Sequence, residues 1–211
     1  MKNSSLFHRF FWTSLILTLS LTTTLQTARA EEIKTLAILP FTINAAQDLS
    51  HVQNGIIYML HSRLSWPNHV QLIPKTQIQA LLSKMPTLTG NQLIGKIATQ
   101  TDSDFVLTGS ITKLAGSFSI DTQVYDIKNK RYMTFFEQSK ISDDLIDKVD
   151  RIAATINKEA FDRSTVAYDR MEQEKQAHIN EMKRKNPEYL MTVPAGQQDK
   201  GPGWKIWKYI F

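Results

Sequence analysis

Lys34-Thr-Leu-Ala-Ile-Leu-Pro-Phe41 and the later run Asp104-Phe-Val-Leu-Thr-Gly-Ser-Ile111 decide the fold class of this chain. The first run is apolar almost without interruption until Pro40, which is typical of a strand buried on both faces of a parallel sheet. The second is rich in Phe, Val, Leu, Ile and Thr, the residues that favour strands. We therefore expect a sheet whose central strand is residues 34–41.

The segments around these runs alternate between helical and strand periodicity. Residues 48–66, 75–84 and 90–101 carry apolar side chains at helical spacing, and residues 70–73 form a short strand between the first two. Residues 104–114, 118–126 and 131–141 predict an antiparallel meander, and Ser142 is expected to cap the helix that follows. The predicted fold is α/β (α+β), with a mixed sheet in the order β-α-β-α-α-β-β-β-α and helices packed on it.

Residues 118–126 also predict how the sheet meets solvent. Phe118, Ile120 and Val124 alternate with polar residues along this strand. Because successive side chains of a strand point to opposite faces, the alternation indicates a sheet with one face exposed to water.

The first thirty residues have the three parts of a secretory signal peptide. Lys2 and Arg9 precede an apolar stretch at residues 12–21, and Ala28-Arg29-Ala30 follows it. We expect cleavage after Ala30, with Ala28 and Ala30 as the small residues of the cleavage site. An uncleaved anchor is the alternative, but the apolar stretch is short and diluted by Thr and Ser.

Composition limits the cellular compartments and the classes of partner that are compatible with this sequence. The 211 residues include no cysteine, which excludes a lipoprotein, a disulfide framework and cysteine-ligated zinc. Without Lys2, Arg9 and Arg29, the formal charge falls from +5 to +2, too small to predict a nucleic-acid partner. The predicted location is the periplasm.

Beyond the domain at residues 31–161, the composition changes twice. Residues 162–186 are dense in charged side chains and predict a solvated helix that acts as a spacer. Residues 187–211 form a Pro- and Gly-containing tail that ends in aromatic residues and lysines, a mixture suited to a partner's groove or to peripheral contact with a membrane surface. Its candidate contact residues are Trp204, Trp207, Tyr209 and Phe211. A short strand that docks on a neighbour or on the same domain is the alternative.

No spacing of polar residues predicts a catalytic, cofactor-binding or metal site. Gly90-Asn-Gln-Leu-Ile-Gly95-Lys96 follows the phosphate-loop pattern but continues with Ile97, where such a loop needs Ser or Thr. The histidines after residue 30 lack the i, i+4 spacing of a helical metal pair. The alternative is an exported ligand-binding protein or hydrolase with a site assembled from scattered residues such as His61, His69 and Asp104.

The two deciding runs, with Gly55-Ile-Ile-Tyr-Met-Leu-His-Ser-Arg-Leu64 between them, resemble the TolB amino-terminal-like domain and the related CsgG-like and LpoB-like periplasmic domains. The likeness covers roughly residues 34–161. It implies an envelope module that docks to other envelope proteins without enzymatic activity, and it brings no catalytic residue with it.

Three further segments are more specific: Phe135-Phe-Glu-Gln138, the helix at residues 146–156, and Asn186-Pro-Glu-Tyr-Leu190. They resemble the amino-terminal module of exported FG-GAP/VCBS-repeat proteins, in which a β-propeller follows. In that likeness, residues 204–211 would correspond to the start of the first propeller strand, and the rest of the propeller is absent here.

Overall fold

The computed structural model describes residues 32–185, and the fold starts at Lys34. Within that range, five α-helices pack around one six-stranded mixed sheet, so the predicted α/β fold class is confirmed. The strands are β1 (Lys34–Ile38), β2 (Thr42–Asn44), β3 (Val70–Leu72), β4 (Phe105–Leu114), β5 (Ser117–Asp126) and β6 (Arg131–Ser139). The helices are α1 (Ser50–Leu64), α2 (Lys75–Leu82), α3 (Gly90–Thr101), α4 (Leu145–Phe161) and α5 (Val166–Lys185).

The sheet combines a parallel half and an antiparallel half. Its strand order is β3-β1-β4-β5-β6, and β2 pairs with β4 beyond the end of β1. β1 is parallel to both β3 and β4, while β4, β5 and β6 form the predicted antiparallel meander. β1 is therefore a central strand, as its apolar run predicts, and β6 lies at one edge.

The strand predicted at residues 34–41, with its end at Pro40, ends two residues earlier at Ile38, and a short strand that was not predicted follows it. β1 ends at Ile38, opposite Leu107, and β2 restarts at Thr42, opposite Ser110. Three residues on this strand therefore face two on β4, which is the geometry of a β-bulge. Pro40 lies in the bulge, where its missing N–H removes no ladder hydrogen bond.

The bulge directs the Phe41 ring onto β4. Phe41 is 2% exposed, and a Cβ placed on Gly109 would lie 2.8 Å from its Cε2 atom. Only glycine leaves room for the ring at that position of the strand. The two deciding runs of the sequence thus meet through a direct contact between Phe41 and Gly109.

Helices cover the two faces of the sheet unequally. α1 and α4 pack on the whole of one face, and the cluster beneath them includes β4, β5 and β6 side chains. α2 and α3 pack on the other face through Ile78, Ile94, Ile97 and Ala98, over side chains of β1 and the start of β4. The rest of this sheet face is not part of the cluster that α2 and α3 form with it.

Asp104 fastens β1 to the start of β4. Its Oδ2 accepts hydrogen bonds from the backbone N of Thr35 at 2.7 Å and from the Thr35 Oγ1 at 3.0 Å. The Asp104 backbone N in turn donates to the Thr35 Oγ1 at 2.9 Å. This reciprocal pair explains why an acidic residue precedes the strand.

The end of the described chain differs from the prediction at two turns. A 3-10 turn at Ser142–Asp144 precedes α4. The N-cap residue of α4 is therefore Asp144 and not Ser142. After Phe161, Asp162 adopts a left-handed conformation with φ 54°, which ends α4. α5 therefore starts at Val166 in a new direction, and no residue of this charged helix is buried.

Candidate protein-binding surface

β6 is a long edge strand. It contributes nine residues to the sheet, and no strand within residues 32–185 pairs with its outer side. Met133 and Phe135 are buried beneath α4, whereas Thr134 and Phe136 point to the opposite face and are exposed. An edge of this length presents a row of backbone donors and acceptors to which another strand can bind.

Next to this edge lies the part of the sheet that α2 and α3 leave uncovered. We call this surface the open face, and its side chains are exposed or half-buried. The strand register places Phe136, on the edge strand β6, directly opposite Asp121 on β5. The open face consists of Thr42, Asn44, Thr108, Ser110, Thr112, Ser119, Asp121, Gln123, Thr134, Phe136 and Gln138.

The chemistry of the open face is that of an interface. Asp121 is the one charged residue in this described set, and Phe136 exposes 60% of its surface. A face kept only for solubility normally mixes charges of both signs and buries its large aromatics. Depletion of charge around an exposed aromatic is instead the pattern of interface centres. The one wet face that the sequence predicts is therefore confirmed and has interface chemistry.

Two tyrosines mark where coverage by α3 stops. The Tyr132 hydroxyl donates to the Asn91 Oδ1 at 2.7 Å, and the Tyr132 ring contacts Tyr125 in a tilted arrangement with centroids 4.6 Å apart. Burial, followed by the neighbouring Tyr125, raises the pKa of Tyr132 above its ordinary value. Tyr132 thus stays a neutral donor that fastens the start of β6 to α3.

On the opposite face, α4 lies along the β6 edge, with the half-buried Glu137 on β6 and the exposed Glu159 on α4. Burial raises the pKa of Glu137, although Lys148 at 3.4 Å opposes this effect. Burial also raises the pKa of Glu159, with a weaker opposing effect from Arg131. Among residues 32–185, Glu137 has an ion-pair partner within 4 Å and Glu159 has none.

α5 returns along α4. The Arg151 Nη2 contacts the Glu174 Oε2 at 2.5 Å, and the Arg151 Nε contacts the Asp147 Oδ2 at 2.9 Å. Tyr168, near the start of α5, interacts electrostatically with Glu159 near the end of α4. The two helices are therefore antiparallel.

The candidate residues of the alternative hydrolase prediction each have separate local roles. Asp104 binds Thr35, and His69 stacks on Trp66 with ring centroids 3.9 Å apart. His61 lies in α1, where burial and then Lys75 lower its pKa. Over residues 32–185, no group of three His, Cys, Asp or Glu side chains is placed to hold a metal ion.

The other predicted site residues lie outside the described residues. These are the cleavage-site residues Ala28 and Ala30 and the tail residues Trp204, Trp207, Tyr209 and Phe211. The edge strand and the open face come from the meander instead. Alternation in residues 118–126 predicted the wet face, but it did not indicate which strand forms the edge. None of the helices in the described range is long and apolar enough to cross a membrane.

No protein-family model and no curated protein matches the chain. Among solved structures, TolB from Acinetobacter baumannii matches 61% of this chain with 17% identity and a TM-score of 0.39, and the chain spans 27% of that structure's length. Lipoprotein GNA1162 from Neisseria meningitidis matches 52% of this chain and 82% of its own, with 14% identity and a TM-score of 0.41. The LpoB C-terminal domain from Salmonella enterica matches 56% and 91%, with 12% identity and a TM-score of 0.39.

The structural neighbours of this chain thus include TolB and LpoB, two of the groups that its sequence resembles. Because each of these TM-scores is below 0.5, the matches carry no argument about activity or partners. The more specific likeness to FG-GAP/VCBS modules stays a prediction.

Proposed function

We propose that this chain is a non-enzymatic periplasmic module of the cell envelope, which binds another envelope protein by adding a strand of that partner to β6. The observation that supports this proposal is the nine-residue edge strand, whose outer side no other described strand pairs with. Strand addition gives affinity through backbone hydrogen bonds and specificity through the side chains on each face.

The free energy that such an interface can supply is sufficient for binding. Phe136 exposes 60% of its surface, so covering it removes about 100 Å² from water and contributes about 2–3 kcal/mol. Each backbone hydrogen bond adds about 0.5–1.5 kcal/mol net. The ordering of the partner's segment opposes these terms, so the affinity depends on how well the partner covers Phe136.

Export is a second part of the proposal. Signal cleavage after Ala30 would deliver a chain that begins at Glu31 to the periplasm. Mass spectrometry of the protein recovered from the periplasmic fraction tests this directly. An amino terminus at Glu31 supports export with cleavage, and recovery of the uncleaved chain in the membrane fraction contradicts it.

The binding surface is tested by affinity capture of the chain from residue 31 to residue 211 out of cross-linked envelopes. Phe136→Lys places a charge on β6 itself, on the side of the open face. Tyr58→Lys is the matched control, because Tyr58 is 64% exposed and lies on α1, on the other side of the sheet. Both variants should fold, since neither side chain is buried.

We expect one envelope protein to be enriched by the parent chain and by Tyr58→Lys, and its recovery to fall about ten-fold with Phe136→Lys. Equal recovery with both variants would remove β6 and the open face as the contact. If nothing is enriched by any of the three chains, the interaction proposal itself fails.

A further inference from the structure

We propose that residues 204–211 of this same chain bind β6 as an antiparallel strand and occupy the edge that a partner needs. This inference rests on the proposed function, and it adds a regulation of that surface. According to this inference, the tail residues that the sequence suggested as partner contacts bind within their own chain.

The length and pattern of the segment match the edge. Residues 204–211 are eight residues long, and β6 offers residues 132–139. In an antiparallel pairing that sets Trp207 opposite Phe136, Tyr209 lies opposite Thr134 and Phe211 opposite Tyr132. Because side chains alternate along a strand, these three aromatic residues all lie on the side of the open face.

The other side of the segment meets α4. In the same register, Trp204, Ile206, Lys208 and Ile210 point to the face on which Met133 and Phe135 are buried. A strand with apolar side chains on both sides suits this position, since α4 covers one side and the exposed Phe136 lies on the other.

The described helices bring the segment to the correct end of β6. α4 runs antiparallel to β6, because Glu137 near the end of β6 contacts Lys148 near the start of α4, while Arg131 interacts with Glu159. α5 is antiparallel to α4 and therefore runs in the same direction as β6. Its end at Lys185 lies toward Ser139, where an antiparallel strand must begin.

The intervening chain is long enough. Residues 186–203 are eighteen residues, which span at most about 60 Å when extended. A connection of this length holds a binding segment at an effective concentration in the millimolar range, about 1 mM. A partner must therefore displace the tail before it can pair with β6.

A disulfide reports the pairing, since the parent chain has no cysteine. The test variant combines Thr134→Cys with Tyr209→Cys, two positions that face each other in the proposed register. One control combines Tyr58→Cys with Tyr209→Cys, and a second combines Tyr58→Cys with Lys208→Cys. All these positions are exposed on the described domain or lie in the tail.

Under mild oxidation, we expect the test variant to form an intramolecular disulfide at about ten times the yield of either control. Yields equal to those of the controls would overturn the inference. A disulfide found mainly between two chains would also overturn it, because the segment would then bind a second copy.

Hydrogen exchange provides an independent measurement. The β6 amides that point away from β5 should exchange about ten-fold faster in a chain that ends at Gly203 than in the full chain, and a peptide of residues 204–211 should restore their protection. Unchanged exchange would contradict the proposal. Amides of α1 serve as the internal control for folding.

The affinity-capture experiment distinguishes the proposed function from the proposed tail pairing. If the disulfide forms but neither the full chain nor the chain ending at Gly203 enriches an envelope protein, the proposed function fails and the tail pairing stands. If a partner is enriched and lost with Phe136→Lys but the disulfide does not form, the tail pairing alone fails. When both hold, the chain ending at Gly203 captures several-fold more partner than the full chain.

Discussion

Replacement of Gly109 by alanine tests the contact that joins the two deciding runs of the sequence. A Cβ at this position would lie 2.8 Å from the Phe41 Cε2 and 2.9 Å from its Cζ, and closer still to the backbone oxygen of Asp121. Ordinary contacts of this type start near 3.4 Å. Both the ring and the β4–β5 ladder must therefore move.

Neither movement is easy. Phe41 is 2% exposed and belongs to the main core cluster, so its ring has no empty space to enter. The Asp121 oxygen belongs to a strand paired with β4 along its whole length. Overpacking of this kind costs about 1–3 kcal/mol, and reduced freedom of the unfolded chain returns about 0.4–1 kcal/mol. We expect Gly109→Ala to lower the free energy of unfolding by about 1–2 kcal/mol.

Urea unfolding of the two variants Gly109→Ala and Gly95→Ala measures the effect. Gly95 lies within α3 and a Cβ there would meet nothing within 4 Å, so this control should be more stable than the parent by about 0.5–1 kcal/mol. If Gly109→Ala unfolds within about 0.5 kcal/mol of the parent, the close approach of Phe41 does not explain the glycine. An unchanged m-value would show that the substitution does not alter the surface area exposed on unfolding.

Two carboxyl groups give further predictions. Asp104→Ala removes the acceptor of the Thr35 backbone N–H and leaves the Thr35 hydroxyl only the Asp102 carbonyl oxygen as acceptor. It should cost about 1–3 kcal/mol of unfolding free energy in urea; no loss would mean that this pair does not fasten β1. Burial raises the pKa of Glu137 against the opposing effect of Lys148, so this carboxyl contributes stability at low pH that is lost as pH rises through the raised folded pKa. Glu137→Gln should therefore gain stability relative to the parent as the pH rises above about 4, the ordinary range of a glutamate pKa, and a difference that stays constant or shrinks with rising pH would contradict the assignment.

The strands and helices of the domain follow from periodicity because each buries one recognisable side. Alternation of Phe118, Ile120 and Val124 with polar residues correctly predicted a strand with one wet face. It could not show that α2 and α3 cover only part of that face. The extent of coverage depends on where those helices lie, and their own sequences contain no information about the strands they leave exposed.

β2 was missed for a local reason. The three residues from Thr42 to Asn44 are too few for a periodic signal, and two of them are exposed and polar. Pro40 looked like the end of a strand because it has no N–H to donate. The β-bulge at Leu39–Phe41 accommodates it, so the chain continues along β4 beyond the proline.

Asp162 shows why the candidate surface could be predicted only in part. A charged run after a helix indicated that the helix continues into solvent, and a left-handed residue at its end would normally be sought at glycine. Asp162 adopts this conformation without being glycine, with its carboxylate 2.8 Å from the Lys158 ammonium. The resulting turn sends α5 back along α4, so that α5 runs toward the side of the sheet on which β6 ends. The proposed contact between the tail and β6 therefore depends on a single backbone conformation that composition did not reveal.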